Sequence, residues 1–183
     1  TIDIYFNIIE GDITKINNIF ISGNKNFLTD DIKQIIKSKV KSFRNIFANN
    51  NFKLYNIEQD KFEIIKLYKS NGFLDVKVEN KIEYLKSNKV NLYFNINEGS
   101  LYTLDLIKVN DYENLLKSDV SDIINKEIEN FLLEKDEYFS YEDINQIREK
   151  ITSIIFDNGI EFIEIITSDK VQDNKVSVLF DIQ

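Results

Sequence analysis

Three near-copies of one alternating segment constrain this chain more than anything else in it: IDIYFNI at 2–8, VNLYFNI at 90–96 and VSVLFDI at 176–182. Ile2 and Val90 stand 88 positions apart and Val90 and Val176 stand 86 apart, a spacing that marks tandem copies of one supersecondary unit. Within each copy apolar residues recur at every second position, so Ile, Leu, Val and Phe share one sheet face while the other face stays wetter. The first copy has no module in front of it. Residues 1–11 are therefore expected to be the last strand of a preceding domain, with 12–99 and 100–183 as two further domains.

The 183 residues, 43% hydrophobic and 30% charged, suit two small globular domains of roughly 85 residues each. The chain has no Cys, His, Met, Trp or Pro. Disulfides, Cys/His zinc sites, thiol nucleophiles and a histidine general base are thereby excluded, and no cofactor is expected. A sequence without Met implies that Thr1 is not a natural start, which leaves room for a signal peptide upstream. No apolar run reaches the length of a membrane-spanning helix. The formal charge of −8 argues against nucleic acid or an anionic membrane surface as partner, since both demand a concentrated basic surface.

Each repeat reads as strand, helix, helix, strand, strand. In the first, Ile16, Ile19 and Ile21 form a β-type run ended by Gly23-Asn24, a turn that needs positive φ. Ile16 is out of phase with Ile19 and Ile21, and Leu104, Ile107 and Val109 repeat that spacing 88 residues on; a β-bulge accounts for both. Thr29 is placed as the cap of a short helix to about Lys37, with Asp30 and Asp31 in its first turn. Asn56 and Gln59 form a capping box for a second helix that Asn71-Gly72 stops. Val76, Val78, Ile82 and Tyr84 alternate in the next strand. In the second repeat a helix falls within 119–131, Ser140 caps another to about Asn158, and strands follow near 161–168 and 176–182. Asp111 stands where the first repeat has Gly23, so that turn must differ.

The expected fold is α+β: tandem modules, each β-α-α-β-β, with a three-stranded mixed sheet covered on one face by two amphipathic helices. The most apolar strand, the closing one, belongs in the centre, which leaves the strand before it at an edge. Between the helices of the first repeat, Phe43, Phe47 and Phe52 sit in a segment otherwise rich in Asn and Lys. They either fold back onto the core or form an aromatic contact surface.

At this point the residues resemble a known family, the polypeptide-transport-associated (POTRA) domains of BamA-type outer-membrane assembly proteins. Phe6 to Gly11, then Ile16, Ile19, Ile21, Gly23, Asn24 and Phe27, look like the family's junction of one domain's last strand with the next domain's first strand and turn. Tyr55, Asp60, Tyr68, Gly72, Phe73, Asp75 and Val76 look like its second helix and exit, and Phe94 to Glu98, Gly99 and Tyr102 repeat the junction. The first module is most similar to the third domain of the bacterial array and the second to the fourth. The second departs from the pattern at Asp111 and at Ile160, where an aromatic is usual.

The resemblance implies a non-enzymatic periplasmic scaffold, the soluble arm of an outer-membrane protein with its own C-terminal β-barrel. Its implied partners are unfolded outer-membrane proteins and assembly lipoproteins, with no nucleic acid and no membrane insertion by this part of the chain. Other barrel-linked transporters, serving two-partner secretion or autotransporter assembly, share the architecture, as does a purely structural spacer. The edge strand offers a mechanism, because its free backbone groups can pair with an extended peptide. Val76, Val78, Asn80, Ile82 and Tyr84 are the candidate binding edge; the alternation of Lys77, Glu79, Lys81 and Glu83 on its other face equally suits an edge protected from aggregation. Gly23, Asn24, Gly72, Glu98 and Gly99 are expected at the turn and joint. Catalysis by carboxylates such as Glu142 and Asp143 has little support, since the first turn of a helix explains both.

Overall fold

The computed structural model describes Tyr5 and residues 12–41, 49–135 and 138–183. Among these residues ten elements follow in order: β1 (Lys15–Ser22), α1 (Thr29–Ile35), α2 (Leu54–Lys69), β2 (Lys77–Leu85), β3 (Lys89–Asn97), β4 (Thr103–Asp111), α3 (Ser118–Glu134), α4 (Tyr141–Asp157), β5 (Ile165–Gln172) and β6 (Lys175–Ile182). They form two sheets, ordered β1-β3-β2 and β4-β6-β5. In each, the central strand is parallel to the first and antiparallel to its hairpin neighbour. The chain is thus α+β with two three-stranded mixed sheets. It divides into two compact units, one running to Ile65 with Lys77–Glu98, the other made of Lys66–Val76 with Gly99–Gln183.

The repeated segments at 90–96 and 176–182 are the central strands, and their alternation explains why. Val90, Leu92, Phe94 and Ile96 are all buried, as are Val176, Val178, Phe180 and Ile182. A central strand has no free edge, so its apolar face is shielded along its whole length, and each such side chain contributes about 1.5–3 kcal/mol when fully buried. In the second unit these residues join Val120, Ile124 and Ile128 of α3 and Ile144, Ile147, Ile151 and Ile155 of α4 in one core. Their spacing of three or four places a single stripe of each helix against the sheet. In the first unit Ile32 of α1 and Ile57 and Ile64 of α2 are buried in the same manner. Of the repeat copy at 2–8 only Tyr5, which is exposed, is among the described residues.

Both first strands carry the irregularity that the phase of their isoleucines requires: the register slips between Ile16 and Asn18 and again between Leu104 and Leu106. Gly23 has φ +83 and a Cβ there would lie 1.9 Å from the Ile96 carbonyl oxygen, so glycine is demanded by both torsion and space. The second repeat solves the turn with Asp111, whose carboxylate accepts the N–H groups of Leu115 (2.9 Å) and Leu116 (2.7 Å).

Four local expectations are corrected. Thr29 does not cap α1; its hydroxyl accepts a bond from Asn24 Nδ2, and the residue before the helix is Leu28 with no side-chain cap. The helix also ends at Ile35 rather than Lys37. Asn56 and Gln59 form no capping box, because α2 already begins at Leu54 and the Gln59 amide donates to the Tyr55 hydroxyl instead. Strand β5 starts at Ile165, later than 161, the chain bending first at Phe162, which has φ +63. Ser140, by contrast, does cap α4, accepting from the Asp143 N–H.

Candidate peptide-binding edge

Because the hairpin partner of each central strand is an outer strand, β2 and β5 each present one flank that no described strand or bridge occupies. The register specifies which backbone groups face that flank. In the second sheet Glu164 and Gln183 exchange both of their main-chain bonds, at 2.7 and 3.0 Å. Pairs that exchange bonds alternate with pairs that do not, so Ile165, Thr167, Asp169 and Val171 turn their N–H and C=O outward. In the first sheet Lys77 lies opposite Asn97, the corresponding pair, and the same count assigns Val78, Asn80, Ile82 and Tyr84 to the free flank of β2.

The opposite edges are engaged at their first residues. Next to the β1 bulge, Ile16 N–H donates to Asn50 O (2.7 Å), Phe52 N–H donates to Thr14 O (2.8 Å), and Lys15 bridges to Asn51. At β4, Thr103 bridges to Tyr138 and Phe139 N–H donates to Tyr102 O (2.8 Å). In both repeats the connection between the helices supplies this cover. Nothing in the Asn-rich run around 49–52 announced it.

The candidate residues fall into three environments. Val76 and Val78 are buried, and Val76 precedes β2, with its N–H given to Phe73 O. Asn80 and Ile82 are half-buried. Tyr84 is 71% exposed and meets Phe52 edge-on, ring centres 6.3 Å apart; Phe43 and Phe47 lie outside the described residues. On the open face of the sheet, Glu83 is less free than its exposure suggests. Its carboxylate accepts from Asn91 Nδ2 (2.8 Å) and from the Tyr93 hydroxyl (2.7 Å). Those bonds hold its pKa below the ordinary carboxylate value and raise that of Tyr93.

The turn residues brace this strand pair. Glu98, following β3 and only 8% exposed, accepts the N–H of Lys25 (2.7 Å), the N–H of Asn26 (2.9 Å) and the Asn26 side-chain amide (2.8 Å). Asn24 donates to Phe27 O and to Thr29. Asp60, fully buried, accepts the N–H groups of Lys37 and Ser38, fixing the exit of α1 onto α2. That role is not readable from sequence, where Asp60 is simply a polar residue on a helix. Gly72 and Gly99 belong with the second unit, Gly72 beside Leu101 and Tyr102 and Gly99 beside Asp75.

Among the described residues no group of acidic side chains is placed to hold a metal ion, and no helix is long and apolar enough to cross a membrane. Residues 14–99 match the POTRA family, described as a surface antigen variable number repeat. Among solved structures, Haemophilus influenzae BamA POTRA3-5 aligns at 16% identity with a TM-score of 0.60, over 94% of this chain and 66% of that one. BamA from Haemophilus ducreyi lacking POTRA domains 1-3 aligns at 14% identity and 0.56, over 94% and 29%. POTRA1-2 of the periplasmic domain of Omp85 from Anabaena aligns at 12% identity and 0.54, over 93% and 95%. The chain therefore spans about two thirds of the first of these and under a third of the second. No curated protein matches it at the level of sequence. Residues 14–99 thus match the POTRA family model, and both repeats carry the fold of the BamA and Omp85 POTRA structures to which the chain is similar.

Proposed function

We propose that this chain is a periplasmic, non-catalytic scaffold, the arm of an outer-membrane β-barrel assembly protein, and that it holds unfolded outer-membrane proteins and accessory lipoproteins by strand addition. Residues 12–99 and 100–183 are then its two domains. The observation that carries this reading is the flank of β2 that no described strand or bridge occupies, where Val78, Asn80, Ile82 and Tyr84 turn donors and acceptors outward while the other edge of the same sheet is engaged at its start. Main-chain pairing accepts any extended sequence, which suits a carrier of many unfolded clients. The likeness to BamA and Omp85 POTRA regions supports the setting. The negative net charge and the lack of any long apolar helix among the described residues agree with a role away from lipid.

The test removes one outward donor. Asn80→Pro deletes an N–H on the free flank and leaves the β2–β3 bonds in place. Binding of unfolded barrel-strand peptides to the variant, followed by fluorescence anisotropy, is expected to weaken at least tenfold with the circular dichroism spectrum unchanged. Equal binding by the folded variant excludes β2 as the site.

A further inference from the structure

Asn71-Gly72 ends α2 and Asn158-Gly159 ends α4, 87 positions later, and no other asparagine in the chain precedes a glycine. The pairing matters chemically. A backbone nitrogen can attack the Cγ of the asparagine before it, and glycine leaves that nitrogen unhindered because it has no Cβ. The two exits start from the same bonds. Each asparagine gives its side-chain amide to the carbonyl four residues back, Leu67 O and Ile154 O, both at 2.8 Å. The residue after each glycine closes the turn, Phe73 N–H to Tyr68 O at 3.0 Å and Ile160 N–H to Ile155 O at 3.3 Å. These bonds hold the amide and the attacking nitrogen in place, so reaction waits on local opening of the last turn.

What must open differs between the two. Gly72 and Phe73 are buried. A Cβ at Gly72 would meet Leu101 Cδ1 at 2.7 Å, Tyr102 O at 2.9 Å and Tyr138 Cβ at 2.9 Å, and Gly72 O accepts the Tyr102 N–H at 2.8 Å. Phe73 lies edge-on to Tyr68, ring centres 5.6 Å apart. Asn158 and Gly159 are exposed, and a Cβ at Gly159 meets nothing within 4 Å. Ile160 is only half-buried, and Phe162 beyond it is 97% exposed at φ +63, a torsion that bulky side chains disfavour. Opening the second exit breaks bonds of the helix's own last turn and little else; opening the first also unpacks a filled site.

We propose that Asn158-Gly159 is a site of spontaneous modification, at which the exposed asparagine converts to aspartate and isoaspartate, and that the packing around Gly72 spares its counterpart Asn71. In the first step the Gly159 nitrogen loses its proton to solvent base and bonds to Asn158 Cγ. The Cγ–Nδ2 bond breaks, and the amide nitrogen leaves as ammonia with a proton from water. Water then opens the five-membered imide, giving aspartate when the new bond to Cγ breaks and isoaspartate when the original peptide bond breaks. Nothing is oxidised or reduced; water enters and ammonia leaves. Either product sets a carboxylate at the negative end of the α4 dipole and removes the bond to Ile154 O. Isoaspartate also adds a carbon to the main chain. The exit of α4 then loosens, along with Ile160 and Ile163, which pack on the second core. The inference does not depend on peptide binding at β2.

The test incubates the folded 183-residue chain in warm, mildly alkaline buffer and samples it by tryptic mass mapping, which separates the two sites onto peptides 70–77 and 151–170. The second peptide is expected to gain the mass of an amide turned acid at least about tenfold faster than the first. Isoaspartate in it is read by methyl transfer from S-adenosylmethionine with an isoaspartate-specific methyltransferase. In urea, where both exits are open, the two peptides are expected to convert at similar rates. Equal rates in the folded chain, or conversion at Asn71 first, overturn the proposal. So does a folded chain that keeps both amides while the unfolded chain loses them, since the bonds of the last turn then protect Asn158 unaided. The same gap in urea overturns it as well, because neighbouring sequence rather than packing would set the rates.

Discussion

The two repeats reach the same fold with different residues at the corresponding turns, and the difference separates what the fold demands from what one copy happens to use. After β1 the backbone turns at Gly23 under the Ile96 carbonyl; after β4 it turns at Asp111, which holds two N–H groups with its carboxylate. The first solution uses absence of a side chain and the second uses a side chain. They should therefore fail differently. Gly23→Ala forces a Cβ into a space 1.9 Å from a carbonyl oxygen, and a loss of about 3–5 kcal/mol in urea unfolding is expected. Asp111→Ala only frees two partly exposed N–H groups and should cost about 1–2 kcal/mol. A comparable cost for both would erase the distinction.

The helix exits give the next largest contrast. Gly72→Asn must displace Leu101, Tyr102 or Tyr138 and is expected to lower stability by about 2–3 kcal/mol, against a few tenths for Gly159→Asn in the open. Thermal melts of the two single variants read this difference directly. Removing the clamp beneath the first turn comes close behind: Glu98→Ala leaves the Lys25 and Asn26 N–H groups without their buried acceptor, for about 2 kcal/mol, and Glu98→Gln should recover part of it.

The smallest effect concerns the open sheet faces. Glu83 and Tyr93 are bonded in the first sheet, whereas Lys170 and Leu179 hold the corresponding positions in the second. A depressed folded pKa contributes stability above the unfolded value, and that contribution is lost as pH falls through the folded one. Glu83 should therefore titrate below the ordinary carboxylate value in an NMR titration, and Tyr93→Phe should bring it back toward that value. If the substitution leaves it in place, the Asn91 amide alone sets the shift.

The sequence made some of this architecture readable because period-two burial is written into residues 90–96 and 176–182, and the most apolar strand of each repeat lies at the sheet centre. The bulge was legible for the same reason, since Ile16 could not otherwise share a face with Ile19. Helix starts were not. Thr29 and Asn56 have the chemistry of caps, but Asn24 engages the threonine, and α2 opens two residues before the asparagine. The outward set on β2 follows from strand order and parity, whereas its engaged counterpart depends on Asn50 and Phe52 reaching across from a connection with no periodicity at all. Asp60 and Glu98 were singled out by the resemblance, but which bonds they make was not legible, because that depends on the N–H groups that arrive from elsewhere.

The engagement of β1 and β4 by their own connecting segments also fixes a valence. A sheet with two accessible edges can add neighbours on both sides and grow without limit, which is the route to fibres. With a bulge and a short bridging segment interrupting the start of one side, each sheet keeps, among the described residues, one uninterrupted row of outward groups, on β2 or on β5. Two such modules meeting edge to edge consume both rows and stop at a pair.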